Sequence, residues 1–144
     1  MVEDNCLFCR IVSGEVPAVI VYEDDHSVGF LDHRPLFHGH TLLVPRKHVE
    51  TLGELPVAQV GPLFKTVQLL SRAVEAGLEA EGTFVAMNNR VSQSVPHLHV
   101  HVVPRRRKDG LKGFFWPRTK YTSEAEMSAV KESIEAAVTK LKNN

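Results

Sequence analysis

Three histidines alternate with apolar residues in Pro96-His97-Leu98-His99-Val100-His101-Val102-Val103, and two cysteines frame the tetrapeptide Cys6-Leu7-Phe8-Cys9. Successive side chains of a strand point to opposite faces, so His97, His99 and His101 share one face while Leu98, Val100 and Val102 share the other. The apolar face can enter a core, which leaves three imidazoles in a row along an accessible surface. Like charges a few ångströms apart disfavour protonation of a base, so the row stays neutral near pH 7, and a neutral imidazole is a nucleophile. The same rings at i, i+2, i+4 could instead be metal ligands, imidazole being the commonest protein metal ligand. A single strand histidine, by contrast, is ordinarily just a partly exposed polar residue. The Cys-x-x-Cys gap lets two thiolates reach one tetrahedral ion, but a site needs two more ligands; two reduced, partly buried cysteines without metal are the other reading.

These residues need elements to hold them. The chain has 144 residues, the size of one domain with its own core, and one domain over 1–144 is expected. Lys plus Arg (17) balance Asp plus Glu (17), so no global field draws the chain to nucleic acid or an anionic membrane. The acidic start Met1-Val2-Glu3-Asp4-Asn5 does not look like a secretion signal, and no apolar run approaches the ~18 residues of a membrane span. A cytoplasmic location, no membrane partner and no nucleic-acid partner are the expectations, and a reducing compartment leaves Cys6 and Cys9 free for metal or redox chemistry. The redox alternative expects a βαβ context that an acidic tail leading into CLFC does not supply.

Phe8–Ser13 reads as a short helix stopped by Gly14, and Ala18–Tyr22 and Val28–Asp32 as strands joined by Asp24-Asp25. Thr41–Val44, closed by Pro45, is a third strand. After Pro56, Val60, Leu63, Phe64, Val67, Leu70 and Val74 recur at spacings of three and four, the stripe of a helix ending near Gly77. Thr83–Met87 and Leu98–Val103 are the last strands. Ser123-x-x-Glu126 reads as a capping box before a helix carrying Met127, Val130, Ile134, Val138 and Leu141 on one face. The sum is an α+β fold: five antiparallel strands and two main helices, with a basic, aromatic loop and terminal helix in the segment 105–144.

The run Gln93-Ser94-Val95-Pro96-His97-Leu98-His99-Val100-His101-Val102-Val103 resembles the signature of the histidine triad (HIT) superfamily. The likeness spans nearly the whole chain, through Cys6-Leu7-Phe8-Cys9, Tyr22-Glu23-Asp24, Phe30-Leu31-Asp32, Gly39-His40-Thr41-Leu42-Leu43-Val44-Pro45 and Lys47-His48, and is greatest to the bacterial Hint-like nucleotide-binding branch. The resemblance implies a homodimer whose two five-stranded sheets join into one, with a nucleotide pocket on each protomer. It implies that His99 attacks the α-phosphorus of a purine nucleoside phosphoramidate or polyphosphate to give a nucleotidyl-histidine that water hydrolyses, one hard step split into two. The backbone carbonyl of His97 would fix the tautomer of His99, His101 and Ser94 would face the phosphate, and Ser94 would relay a proton to the leaving group; a turn serine bonded to its own backbone is the plainer reading.

By the same resemblance Asp32 accepts hydrogen bonds from the ribose hydroxyls, although an Asp after a strand is ordinarily a turn residue. Phe8, Phe30, Leu31 and His33 fall where the family builds its base cleft, with Leu7 and Ile11 nearby; His33 replaces a usually aliphatic residue, and Phe8 and Leu7 could be ordinary core. Asn88 matches a phosphate- or loop-supporting asparagine, backbone N–H groups around Gln93–Ser94 can stabilise charge on the phosphate oxygens, and His40 matches a further histidine beside the triad. Ser92 stands where the family generally has glycine, in a short Asn89-Arg90-Val91-Ser92 loop, a departure that bears on the phosphate cradle. Bacterial relatives complete the cysteine pair with the positions of His48 and His97, a Cys2His2 set for zinc, structural because four protein ligands leave no open position.

Arg105-Arg106-Arg107-Lys108 with Phe114-Phe115-Trp116 invites a single-strand nucleic-acid reading. A solvated strand end, whose charges deter stray pairing, is the expectation, with a polyphosphate or acyl-bearing leaving group as another contact. In the family a tryptophan, here Trp116, approaches the partner's active site. Three functions therefore compete: a nucleoside phosphoramidase, a dinucleoside polyphosphate hydrolase (Arg34-Pro35 and His101-Val102-Val103-Pro104-Arg105 are similar to that branch), and a nucleotide-binding interaction module with incidental turnover.

Overall fold

A computed structural model describes residues 5–111 and 118–144. In chain order the elements are α1 (Leu7–Val12), β1 (Ile20–Glu23), β2 (Ser27–Leu31), β3 (Thr41–Pro45), a 3-10 turn (Leu52–Glu54), α2 (Val57–Leu78), β4 (Gly82–Ala86), β5 (Val100–Arg105) and α3 (Glu124–Lys142). The five strands form one antiparallel sheet in the order β1-β2-β3-β5-β4. The chain forms two compact units, Met1–Asp109 with the sheet and Gly110–Asn144 with α3.

Strand alternation splits the core of the first unit in two. Leu43, Leu98, Val100 and Val102 pack with Leu63, Val67, Leu70 and Val74 of α2. Val28, Phe30, Leu42 and Val44 form a second cluster with Cys6, Phe8 and Cys9. Both faces of β3 are therefore covered, and all five of its residues are buried. The helix α2 follows the expected stripe with one exchange: Phe64 is 39% exposed, and Thr66 takes the buried place. Thr66 can do so because its hydroxyl is bonded to Asp24 Oδ2 (3.3 Å) and the Pro62 carbonyl (3.2 Å), so no polar atom is buried unpaired. The helix runs past Gly77 to Leu78 and stops at Glu79, which takes the left-handed conformation (φ 52) and donates its N–H to Glu75 O.

The histidine strand begins later than its alternation predicts, at Val100 instead of Leu98. His97 and His99 thus lie in the approach to β5, and only His101 in the paired strand, opposite Leu42 and Ala86. In the second unit, the Ser123 hydroxyl caps α3 by accepting from Glu126 N (3.1 Å), while the Glu126 carboxylate turns to Thr122 N and Oγ1 (both 2.6 Å) and so completes only half of the expected box. Met127, Val130, Ile134, Val138 and Leu141 of α3 are all exposed, and α3 contributes no buried residue.

Candidate active site

The three histidines are not a row of rings on an accessible surface. His97 (0%) and His99 (3%) are buried and only His101 is partly open, because the segment before β5 passes beneath α1 and Phe8 instead of continuing a flat strand. Each ring consequently meets different partners. His97 directs Nδ1 at Cys6 Sγ (3.4 Å) and Cys9 Sγ (3.5 Å), and its Nε2–H donates to the Pro45 carbonyl (2.9 Å). His99 Nδ1–H donates to the carbonyl of His97 (2.7 Å), which places the proton on Nδ1 and leaves Nε2 with a lone pair. Phe8 stands edge-on to the His99 ring at 5.0 Å and to Phe30 at 5.4 Å, so this residue both belongs to the core and fixes the ring's plane.

His101 lies 5.0 Å, ring to ring, from His99 and contacts His40 through a 2.9 Å Nδ1···Nε2 hydrogen bond. Burial brings its pKa down to about 4, with the His99 and His40 rings adding to the effect and Asp32 opposing it. Neutrality was expected from mutual repulsion; burial is the larger cause. His40 is likewise held below its ordinary value by burial, against the pull of Asp32.

These groups border a cavity of about 720 Å³, within the range of small-ligand sites. Phe8, Phe30, Leu31, Asp32, His33, Ser94, His99 and His101 line it, as do Leu7 and Ile11. Sequence reading missed the wall Val16–Val19, Leu42 and Val95. Leu42 stands opposite His101 in the β3–β5 register, so strand parity puts both on the cavity side, a pairing that neither segment's own pattern records. The segment 16–19 has no periodicity by which to find it. Ser94 is exposed, and among the described residues its hydroxyl has no hydrogen-bond partner, so it is not a turn serine bonded to its own backbone. Asp32 accepts from Arg34 N (2.9 Å) through Oδ1 and puts Oδ2 3.7 Å from His40 Nε2.

Asn88 and Gln93 do not line the cavity. Asn88 Nδ2 donates to the Ser92 carbonyl (3.2 Å), and the Gln93 amide joins Arg90 N (2.8 Å) to the Glu50 carbonyl (2.7 Å), so both brace the loop that presents Ser94. Ser92 takes the left-handed conformation (φ 60), and Arg90 does too (φ 70), so the loop keeps a glycine-like backbone without a glycine. Most of the basic run is committed within its own unit: Arg105 is bidentate to Asp109 (2.6 and 3.0 Å), Arg106 Nη2 donates to Leu78 O (2.5 Å), and Arg107 N donates to Glu81 (3.0 Å). Trp116, with Phe114 and Phe115, lies outside the described residues.

Behind the cavity, Cys6, Cys9, His48 and His97 bring four donor atoms within 4.8 Å of one another. Cys9 Sγ to His48 Nδ1 is 3.3 Å. A tetrahedral zinc ion with Zn–S of about 2.3 Å and Zn–N of about 2.05 Å has S···N edges of about 3.6 Å. The observed separations of 3.3, 3.4 and 3.5 Å therefore fit a zinc set with little movement. Cys6 also caps α1, its sulfur accepting from Cys9 N (3.2 Å), and the bond from His97 to Pro45 O is the outer-shell anchor that metal-binding imidazoles use.

The sequence profile of the HIT domain matches residues 13–108. The chain is 31% identical over 136 residues to an adenosine 5'-monophosphoramidase of Schizosaccharomyces pombe, covering 93% of this chain and 98% of that protein. It is 36% identical over 111 residues to an adenylylsulfatase of Arabidopsis thaliana, covering 76% and 56% respectively. A zinc-bound histidine triad family protein of Mycobacterium smegmatis superposes with a TM-score of 0.71 at 37% identity, over 92% of this chain and 97% of that one.

Proposed function

The chain belongs to the HIT-domain family, and from that premise we propose that it is a nucleotide hydrolase acting at the α-phosphate of a purine nucleoside 5'-phosphate derivative through a nucleotidyl-His99 intermediate. The two enzymes it resembles are named for an adenosine phosphoramidate and for an adenylyl sulfate, which share the adenylyl part and differ in what leaves. The observation that carries the reading is the 2.7 Å bond from His99 Nδ1–H to His97 O, which fixes a lone pair on Nε2 at the wall of the cavity.

In the first step the Nε2 lone pair forms an N–P bond as the bond from phosphorus to the leaving group breaks, and the leaving group takes a proton relayed by Ser94. His101 donates to a phosphoryl oxygen as charge gathers in the five-coordinate transition state. Water then cleaves the N–P bond: its oxygen bonds phosphorus, its proton replaces through Ser94 the one given to the leaving group, and the N–P electron pair returns to Nε2, leaving the nucleoside monophosphate and neutral His99. Asp32, as a pure acceptor, binds the ribose hydroxyls, and Phe8, Phe30, Leu31 and His33 border the base. Cys6, Cys9, His48 and His97 would hold a structural zinc; when bound, it supplies a cross-link between the start of α1 and the sheet, and His97 serves it with its ring while its carbonyl serves His99. Two copies pair through β4, a terminal strand of the sheet among the described residues; sedimentation at the mass of one chain would overturn that pairing.

The test offers adenosine 5'-phosphoramidate and a diadenosine polyphosphate to the wild type and to His99→Asn, with intact-mass detection of an adduct. The wild type gains one nucleotidyl group and His99→Asn none, with turnover down by about 10³-fold or more. Equal turnover in the two proteins would sink the covalent route.

A further inference from the structure

Helix α3 carries an apolar stripe that is exposed along its whole length: Met127, Val130, Ile134, Val138 and Leu141. It belongs to the unit Gly110–Asn144, beyond the residues 13–108 that the HIT domain matches. A helix that buries none of its residues lacks the packing that ordinarily stabilises one in water. The stripe also has a symmetry of its own. Val130 and Val138 stand four residues on either side of Ile134, and Met127 and Leu141 seven on either side. At about 100° per residue, all five lie within about 40° of the Ile134 direction. The charges repeat about the same centre with their signs reversed: Glu124 and Glu126 occupy the first turn, Lys140 and Lys142 the last. Lys131 and Glu135 are paired with each other within the helix (3.2 Å). We propose that α3 is a self-association surface, pairing face to face and antiparallel with α3 of a second copy about a two-fold axis at Ile134.

Such an axis sets Ile134 against Ile134, Val130 against Val138 and Met127 against Leu141, so every apolar side chain of the stripe meets another. On one flank Glu126 faces Lys140 of the second copy, and on the other Glu124 faces Lys142 of the second copy, each pair about 3 Å apart along the axis. Glu126 already accepts from Thr122 N and Oγ1 (both 2.6 Å), and a carboxylate has lone pairs for a further donor. Parallel pairing in register keeps the apolar matches but sets glutamate on glutamate and lysine on lysine, so the charges select the antiparallel arrangement. Sliding one helix by a turn leaves Met127 and Leu141 without apolar partners. A membrane surface is the competing occupant of an exposed apolar stripe, but it calls for a basic polar face, and α3 has four glutamates against three lysines.

This surface is distinct from β4, which lies in the other unit, and it does not rest on the nucleotide reading. The full chain is treated with a water-soluble carbodiimide, which joins a carboxylate to an amine without a spacer, and its peptides are identified by mass spectrometry. Links of Glu126 to Lys140 and of Glu124 to Lys142 are expected. Within one helix these partners are about 21 and 27 Å apart, so each link must run between two copies. Ile134→Glu, which brings two carboxylates together at the axis, is expected to cut both links about tenfold or more. Ala136→Glu, with the same charge on the opposite face, keeps them. If circular dichroism shows that Ile134→Glu has lost helix, Ile134→Ala decides, because alanine favours the helix while removing the central contact, and the links are expected to fall there too. No such links in the wild type, links from Glu124 or Glu126 to lysines of the first unit in their place, or equal yields in wild type and Ile134→Glu would overturn the proposal. A chain that sediments as a dimer yet gives no α3 link keeps the β4 pairing and loses this one.

Discussion

Three imidazoles of identical chemistry do different things here because each has a different pair of neighbours. His97 faces two sulfurs and a carbonyl, His99 a carbonyl and the cavity, and His101 another imidazole and the cavity. The clearest electrostatic consequence falls on His101. Its folded pKa of about 4 lies below the ordinary 6.5, so between these values the unfolded chain holds a proton that the folded chain refuses. Its contribution to stability is therefore complete above pH 6.5 and is lost progressively as pH falls toward 4, with no further loss below. A proton titration of the His101 ring followed by NMR is expected to have its midpoint near 4, and His101→Gln to flatten the fall of the denaturant midpoint across that window. A midpoint at the ordinary value would mean the ring is open to water. The same residue-level logic revises Gln93: its place in the motif was legible, but its amide is used to brace Glu50 and Arg90, which no local pattern records.

At the scale of elements, the entry to β3 decides where His40 stands. Gly39 has φ +100, and a Cβ there would run into Leu78 Cδ1 of α2. Gly39→Ala is expected to cost about 1–3 kcal/mol in urea unfolding and to disturb the His40–His101 pair, whereas Gly77→Ala, in the last turn of α2 with open space around its Cβ, should be neutral or stabilising. The turn between β1 and β2 is fastened by Asp24, which accepts from His26 N and Ser27 N (both 2.7 Å), from Tyr22 OH (3.0 Å) and from Thr66 of α2 (3.3 Å). Burial alone would raise the Asp24 pKa; these bonds outweigh it and hold the carboxylate ionised. The turn was legible as Asp24-Asp25, but the reach to Thr66 was not, and it is why a threonine replaces Phe64 on the buried side of α2.

For the whole molecule, the proposed zinc ligands come from three separated stretches: the start of α1, the loop after β3 and the approach to β5. Binding an ion there joins parts that the unfolded chain holds far apart, so metal affinity adds to folding free energy. Zinc content near one per chain is expected, and chelation or Cys9→Ser should lower the melting temperature by roughly 10 °C, or ~3 kcal/mol at ~3–4 °C per kcal/mol. An unchanged melting curve on chelation would remove the site. Much was decided by the sequence alone: five strands, the helical stripes, the triad and the Cys-x-x-Cys pair, because periods of two and 3.6 and a two-residue gap are local properties written within a few residues, whereas His48 and His97 were joined to that pair only through the family resemblance. Those same local rules placed three rings on one open face. Only the tertiary structure decided that His97 turns into the core, that α1 and Phe8 close over His99, and that His40 meets His101 across 61 residues. Those outcomes depend on the β3–β5 register and on which face each chain segment covers, and pairing between distant segments leaves no periodic trace in either one.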